Sequence, residues 1–169
     1  MSSYIALLRG INVGGKNKLP MKDLKCLLEK NGMLNVRTYI QTGNIVFDCD
    51  EPISNLDELI ESEFGFKPNV MFVQPLQFLK SIENCPFVAD EGKQLHYYFC
   101  QSPPTPNLEK MTALKKQSEA FEIIDQVFYL HAPEGIGRSK LAERAEKLLG
   151  VRCTARNYNT VLKIKDMIE

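Results

Sequence analysis

The chain has 169 residues, and 21 lysines and arginines balance 21 aspartates and glutamates, so its formal charge is zero. At 44% hydrophobic and 25% charged it reads as soluble and globular. Its longest early apolar run, Ile5-Ala6-Leu7-Leu8, is far too short for a membrane span or a signal-peptide core. The expectation is a cytoplasmic protein with no membrane partner, and zero net charge argues against broad nucleic-acid affinity.

Tyr4–Gly10 reads as a strand, followed by the loop Ile11–Leu19. Pro20 opens a helix with apolar Leu24, Leu27 and Leu28, stopped by Asn31-Gly32. Val36–Gln41 and Asn44–Asp48 alternate apolar and polar around Thr42-Gly43, which predicts a hairpin with a two-residue turn. That register sets Gln41 opposite Asn44, Tyr39 opposite Val46 and Arg37 opposite Asp48, with Val36, Ile40, Ile45 and Phe47 facing the helices. Ser54-x-x-Asp57 resembles a capping box ahead of a helix with Leu56, Leu59, Ile60 and Phe64 on one stripe. Lys67-Pro68-Asn69 breaks it, Val70–Val73 is a fourth strand, and a short helix covers Leu76–Ile82.

The same order then recurs. Gln94–Cys100 is a strand, and Pro103–Pro106 leads to a helix with Leu108, Met111 and Leu114. Phe121–Ile124 and Val127–His131 pair, a helix from Ser139 ends at Gly150, Val151–Thr154 is a strand and Asn157–Ile168 a closing helix. The duplicated β-α-β-β-α-β order predicts an α+β fold of two consecutive ferredoxin-like units, 1–83 and 84–169, each with an extra C-terminal helix. They join near Glu83–Gly92. One continuous mixed sheet is the alternative. In such a plait the loop after Arg9-Gly10 lies beside Gln41–Asn44, and Gly135–Lys140 shares a sheet end with Thr154–Asn157.

The charge is unevenly spread. Residues 1–40 carry seven bases (Arg9, Lys16, Lys18, Lys22, Lys25, Lys30, Arg37) against two acids, and residues 48–63 carry seven acids and no base. From Arg138 to Lys165 there are eight bases against two acids. Two basic stretches coincide with Gly- and Asn-rich loops. Gly10-Ile-Asn12-Val-Gly14-Gly15-Lys16-Asn17 fits G-x-x-x-x-G-K but lacks the closing Ser or Thr that holds magnesium, and the element order lacks a parallel core, so an NTP-hydrolysing P-loop is disfavoured. Two readings stay open: backbone N–H groups at Gly14-Gly15 turned toward an anion with Arg9, Lys16 or Lys18 for charge, or glycines serving backbone geometry alone. Gln41 and Asn44 either close the hairpin or offer two amides to a ligand's polar edge.

In the second half, Ser139 is an expected N-cap, while Arg138 and Lys140 oppose the helix dipole and hint at an anionic ligand. Arg156 and Asn157 lie nearby. His96 and His131 are expected on one sheet face with Tyr98 and Tyr129, as polar residues rather than an acid–base pair. Five cysteines (Cys26, Cys49, Cys85, Cys100, Cys153) without CxxC spacing read as reduced thiols, and no metal site is expected.

Leu7–Lys18, Thr38–Phe47, Gly137-Arg-Ser-Lys-Leu141 and Ala155–Val161 together make the chain resemble the bacterial domain-of-unknown-function family 1697. Tyr158 stands where relatives commonly carry Trp, and Thr42 where they carry Ser. The resemblance implies a two-part ferredoxin-like fold and no established activity. The motif positions matched are Arg9, Asn12, Gly14, Gly15, Lys16, Gln41, Gly43 and Asn44, then Arg138, Ser139, Lys140, Arg156 and Asn157.

The leading functional expectation is a small anionic or phosphorylated ligand. Arg9, Lys16 and Lys18 supply charge; Asn12, Gly14, Gly15, Gln41 and Asn44 shape the loop and its hydrogen bonds. Arg138, Ser139, Lys140, Arg156 and Asn157 form a second pocket or the other wall of an interdomain cleft. The alternatives are single-stranded nucleic acid stacked on Tyr39, Tyr98 and Tyr129 of open sheet faces, disfavoured by the missing RNP1-like run, and an enzyme whose site assembles between the units. A homodimer paired through open sheet faces is a further expectation. The sequence names no cofactor.

Overall fold

The computed structural model describes residues 2–51, 54–88 and 91–169. Pro52 and Ile53 of the acidic stretch, and Ala89 and Asp90 of the expected joint, lie outside the described residues. The chain divides into two units, Met1–Lys80 with Lys163–Glu169, and Ser81–Leu162.

In the first unit, β1 (Ser2–Arg9) is followed by α1 (Met21–Lys30), β2 (Leu34–Tyr39), β3 (Asn44–Cys49), α2 (Leu56–Phe64), β4 (Asn69–Val73) and α3 (Pro75–Asn84). Its sheet is antiparallel, in the order β2-β3-β1-β4. The run Ile5–Leu8 is wholly buried because β1 is central and covered on both faces, which removes any need for alternation. Ala6, Leu8, Ile45 and Phe47 pack on Leu24 and Leu28 of α1 and on Leu56 and Ile60 of α2. Each of the leucine, isoleucine and phenylalanine side chains contributes about 1.5–3 kcal/mol through burial. Ile5, Leu7, Val46 and Met71 on the other face are buried too. Within this unit the Arg37 guanidinium donates to the Met167 carbonyl, and Lys163 Nζ lies 5.9 Å from the Tyr39 ring centre.

The second unit repeats the order with β5 (Leu95–Cys100), α4 (Leu108–Leu114), β6 (Ala120–Ile124), β7 (Val127–His131), α5 (Lys140–Leu149) and β8 (Cys153–Asn157), and α6 (Tyr158–Ile168) begins in it, its residues from Lys163 on being counted with the first unit. Its antiparallel sheet runs β6-β7-β5-β8. Tyr98, Cys100, Phe128 and Leu130 pack on Met111 of α4 and on Leu141, Ala145 and Leu149 of α5. The described chain is thus a mixed α+β protein with two four-stranded antiparallel sheets and six α-helices, consistent with two repeated βαββ-type units.

Three local expectations are corrected. The cap of α2 is Asn55 and makes no side-chain cap hydrogen bond, so Ser54 forms no capping box; Asp57 Oδ1 accepts instead from the adjacent Glu58 N–H at 2.9 Å. β8 starts at Cys153 and runs to Asn157, because pairing with β5 continues through Tyr97↔Arg156 and His96↔Asn157. The hairpin turn holds four residues, Ile40–Gly43, rather than two, and the register is Tyr39↔Asn44 and Arg37↔Val46. Leu34 rather than Arg37 stands opposite Asp48, after an irregularity between Leu34 and Arg37. Ile40 consequently leaves the helix-packed face and is 45% exposed.

Candidate functional site

The loop between β1 and α1 is a small folded object. Ile11 and Leu19 are buried and anchor its two ends in the core. Between them Asn12 N–H donates to the Asn17 carbonyl at 3.0 Å and Lys16 N–H to the Val13 carbonyl at 2.9 Å, with Val13 and Lys16 bridged. This is a miniature hairpin. Gly14 and Gly15, at φ 57 and 76, are its two turn residues, as a type I′ turn requires. A Cβ at either would meet nothing within 4 Å, so positive φ rather than close approach calls for glycine. The geometric reading of the two glycines is thus met by the turn, and the Lys16 N–H is committed to closing it. Asn12 and Asn17, both at φ 52, use the tolerance of asparagine for the left-handed region.

Asn12 also clamps this hairpin to the β2–β3 turn. Its Nδ2 donates to the Leu19 carbonyl at 2.9 Å and to the Gln41 carbonyl at 2.8 Å, with Gln41 Oε1 at 3.3 Å. Its Oδ1 accepts from Leu19 N–H at 2.8 Å. Leu8 N–H donates to the Gly43 carbonyl at 2.8 Å, tying the turn to β1. The two loops are thus brought together as the topology implied. Asn44 is not turned to solvent: it is buried, and its Nδ2 donates to the Tyr39 carbonyl and to Thr42 Oγ1, both at 3.0 Å. The reading of two ligand-facing amides is corrected to one, since Gln41 alone is exposed.

Arg9, Lys16 and Lys18 are exposed around this clamp, and among the described residues Lys16 and Lys18 form no ion pair. Asp48, the acid of β3, does not neutralise Lys16 or Lys18. Asp48 is in register with Ser3, toward the opposite end of β1 from Arg9. Six residues of strand separate those ends by about 20 Å, more than two Debye lengths at physiological salt. Asp48 is held below the usual carboxylate range by hydrogen bonds from Ser3 at 2.6 Å and Asn35 at 2.8 Å, with Arg37 assisting at 3.5 Å.

In the second unit the expected cluster separates by role. Ser139 is buried and its Oγ accepts from Ala142 N–H at 3.0 Å, so it caps α5. Asn157 Oδ1 accepts from Thr160 N–H at 2.9 Å and caps α6 in the same way. Arg156 is buried, donates to the Ala155 carbonyl at 2.9 Å, and has its pKa pulled down to about 10 by burial. Arg138 and Lys140 remain exposed. Glu134 lies near Arg138; its carboxyl is held below its ordinary range chiefly by the Ser118 hydroxyl, then by Lys116, with Arg138 adding less.

His96 and His131 are on opposite faces, because Leu95 and not His96 is paired with His131. The expectation of a shared face is corrected by this one-residue offset. Burial draws the His96 pKa down to about 4, and its Nδ1 has no hydrogen-bond partner among the described residues. The stacking tyrosines are corrected as well. Tyr98 belongs to the helix-packed core, while Tyr129 is wholly buried, donates to the Ser81 carbonyl at 2.6 Å and meets Tyr97 edge-on at 4.8 Å. All five thiols are free.

Residues 1–129 match the family model described as protein of unknown function DUF1697. Among solved structures the chain is similar to the conserved bacterial protein SP0830 from Streptococcus pneumoniae, at 24% identity and a TM-score of 0.68, covering 99% of each chain. That likeness shows a shared fold. No curated protein matches the sequence. No helix among the described residues is long and apolar enough to cross a membrane.

Proposed function

The chain belongs to the DUF1697 family, and from that premise we propose that it binds a small anionic or phosphorylated ligand at the clamped loops of its first unit. The observation that carries this reading is the Asn12 bridge, which fixes a basic hairpin against a second loop. Lysines on a fixed backbone hold a phosphate with less ordering penalty than lysines on a mobile one. Lys16 and Lys18 supply the charge with Arg9 beside them, and Gln41 supplies a hydrogen-bonding amide. Asn12, Gly14, Gly15 and Asn44 serve as scaffold. Arg138 and Lys140 are the exposed cations of a second, weaker candidate in the other unit.

The same proposal includes the finer description of each unit as a ferredoxin-like plait with an added helix, divided near 83/84. The strand orders β2-β3-β1-β4 and β6-β7-β5-β8 support it. A cytoplasmic location is proposed with it, on the free thiols.

Titration calorimetry with inorganic phosphate and ribose 5-phosphate tests the site. Lys16→Ala and Lys18→Ala are each expected to weaken binding about tenfold, and added salt to weaken it further. Binding that is absent, or indifferent to both substitutions, overturns the proposal.

A further inference from the structure

We propose that Ile40 contacts the ligand of this site, and that the ligand class is a nucleoside monophosphate, an anion carried on a flat and largely apolar ring. The inference rests on the anion-binding reading above and gives it a chemical identity.

The turn sets the backbone at position 40, but two features of the residue found there are not explained by the turn. Its φ is 49, a left-handed conformation in which a β-branched side chain crowds the backbone. Every other non-glycine residue of positive φ among the described residues is Asn12, Asn17, Asn35 or Asp125, the types that accept this conformation. The chain thus uses suitable residues at four such positions and departs from them at one. Ile40 is also 45% exposed, so the strain is not offset by full burial. Strained backbone of this kind concentrates where a side chain is held for a ligand.

The neighbourhood supplies the rest. Val13, 64% exposed, stands at the tip of the adjoining hairpin, and the hydrogen bonds from Asn12 to Gln41 join the two loops. Two exposed branched side chains therefore belong to the same pair of loops as Lys16 and Lys18. An inorganic anion has no use for them. A purine or pyrimidine ring does: its face covers two aliphatic side chains, its polar edge meets the Gln41 amide, and its phosphate lies with the lysines.

Binding of AMP, GMP, CMP and UMP to the full chain, compared with ribose 5-phosphate, tests this. At least one nucleotide is expected to bind about tenfold more tightly than ribose 5-phosphate. Ile40→Asn, which puts a residue suited to positive φ in its place, is expected to erase that preference while leaving ribose 5-phosphate affinity unchanged and the urea midpoint unchanged or higher. Val13→Ser, remote from the turn itself, should reduce the preference in the same way. If no nucleotide exceeds ribose 5-phosphate, or both variants keep the preference, the ring contact is refuted while the anion site stands. A large drop in urea midpoint for Ile40→Asn also refutes it, since Ile40 is then a structural residue. If wild-type protein binds neither inorganic phosphate nor ribose 5-phosphate, the anion reading fails and this inference with it.

Discussion

Gly43 is where the candidate site meets the core, and Gly43→Ala is the substitution whose outcome the structure fixes most sharply. At φ +92, the new Cβ would lie 2.6 Å from Leu8 Cβ and 2.9 Å from Ile11 Cδ1. Leu8 belongs to the central strand and has no room to retreat; Ile11 is the plug beneath the basic hairpin. A left-handed L-residue costs about 1–2 kcal/mol. Overpacking a filled core adds about 1–3 kcal/mol. Alanine returns about 0.4–1 kcal/mol by restricting the unfolded chain. The net loss is about 1–4.5 kcal/mol, centred near 3. Gly14→Ala is the internal control: its φ is +57 but its Cβ meets nothing within 4 Å, so only the backbone penalty and the unfolded-state gain apply. Its net loss is at most about 1.5 kcal/mol. The chain has no tryptophan, so far-ultraviolet circular dichroism in urea is the suitable assay. Equal losses for the two alanines would refute the close packing of the turn on Leu8 and Ile11.

Asn12→Ala removes the donor to the Leu19 and Gln41 carbonyls and the acceptor of Leu19 N–H; a loss of about 2 kcal/mol is expected, with faster amide exchange at Leu19 as the local signature. His96 gives a pH dependence. Its folded pKa, about 4, is below the ordinary 6.5, so the unfolded chain binds a proton that the folded chain refuses. Stability is full above 6.5 and falls as pH drops toward 4, by at most about 3 kcal/mol. His96→Gln should flatten the urea midpoint between those limits relative to wild type, and unchanged curvature would count against the assignment. Cys26 is exposed whereas Cys100 and Cys153 are buried with sulfurs 3.6 Å apart, and both their contact and burial raise the Cys100 pKa. A disulfide reagent should label Cys26 rapidly in native protein and reach the buried pair only in urea; rapid labelling of all three would contradict the packing of β5 against β8.

Element order was legible because the signals are local. The stripes of α1 and α2, Gly150 at positive φ behind α5, and the apolar run of β1 each state their own structure. Register was less so. The turn Ile40–Gly43 hides behind an isoleucine that sequence rules assign to strand, because its left-handed backbone is set by contacts of the turn with β1 and the hairpin. The offset of His96 from His131 is likewise a matter of one residue in pairing across β5 and β7, which no pattern inside either strand announces. The tyrosines were misread for a related reason. Alternation distinguishes two faces but does not say whether the second is open, and Tyr97 and Tyr129 show that it is filled.

The site motif separates into scaffold and chemistry only once the conformations are known. Gly10, Asn12, Gly14, Gly15 and Asn17 all have positive φ, so the spacing G-x-N-x-G-G-x-N is an account of backbone shape. The double glycine was readable as a hairpin turn, a plainer signal than the phosphate-loop likeness that overlay it. Ser139 and Asn157 are explained by their caps, and Asn44 by the hairpin it closes. What these roles leave over is Lys16, Lys18, Val13 and Ile40, two charges and two aliphatic groups exposed on adjoining loops. Nothing in the fold asks for a strained isoleucine or a valine at a hairpin tip there. Residues that depart from a local rule without serving the core are where a ligand is to be sought, and here they share adjoining loops with Lys16 and Lys18, at the other end of β1 from Asp48.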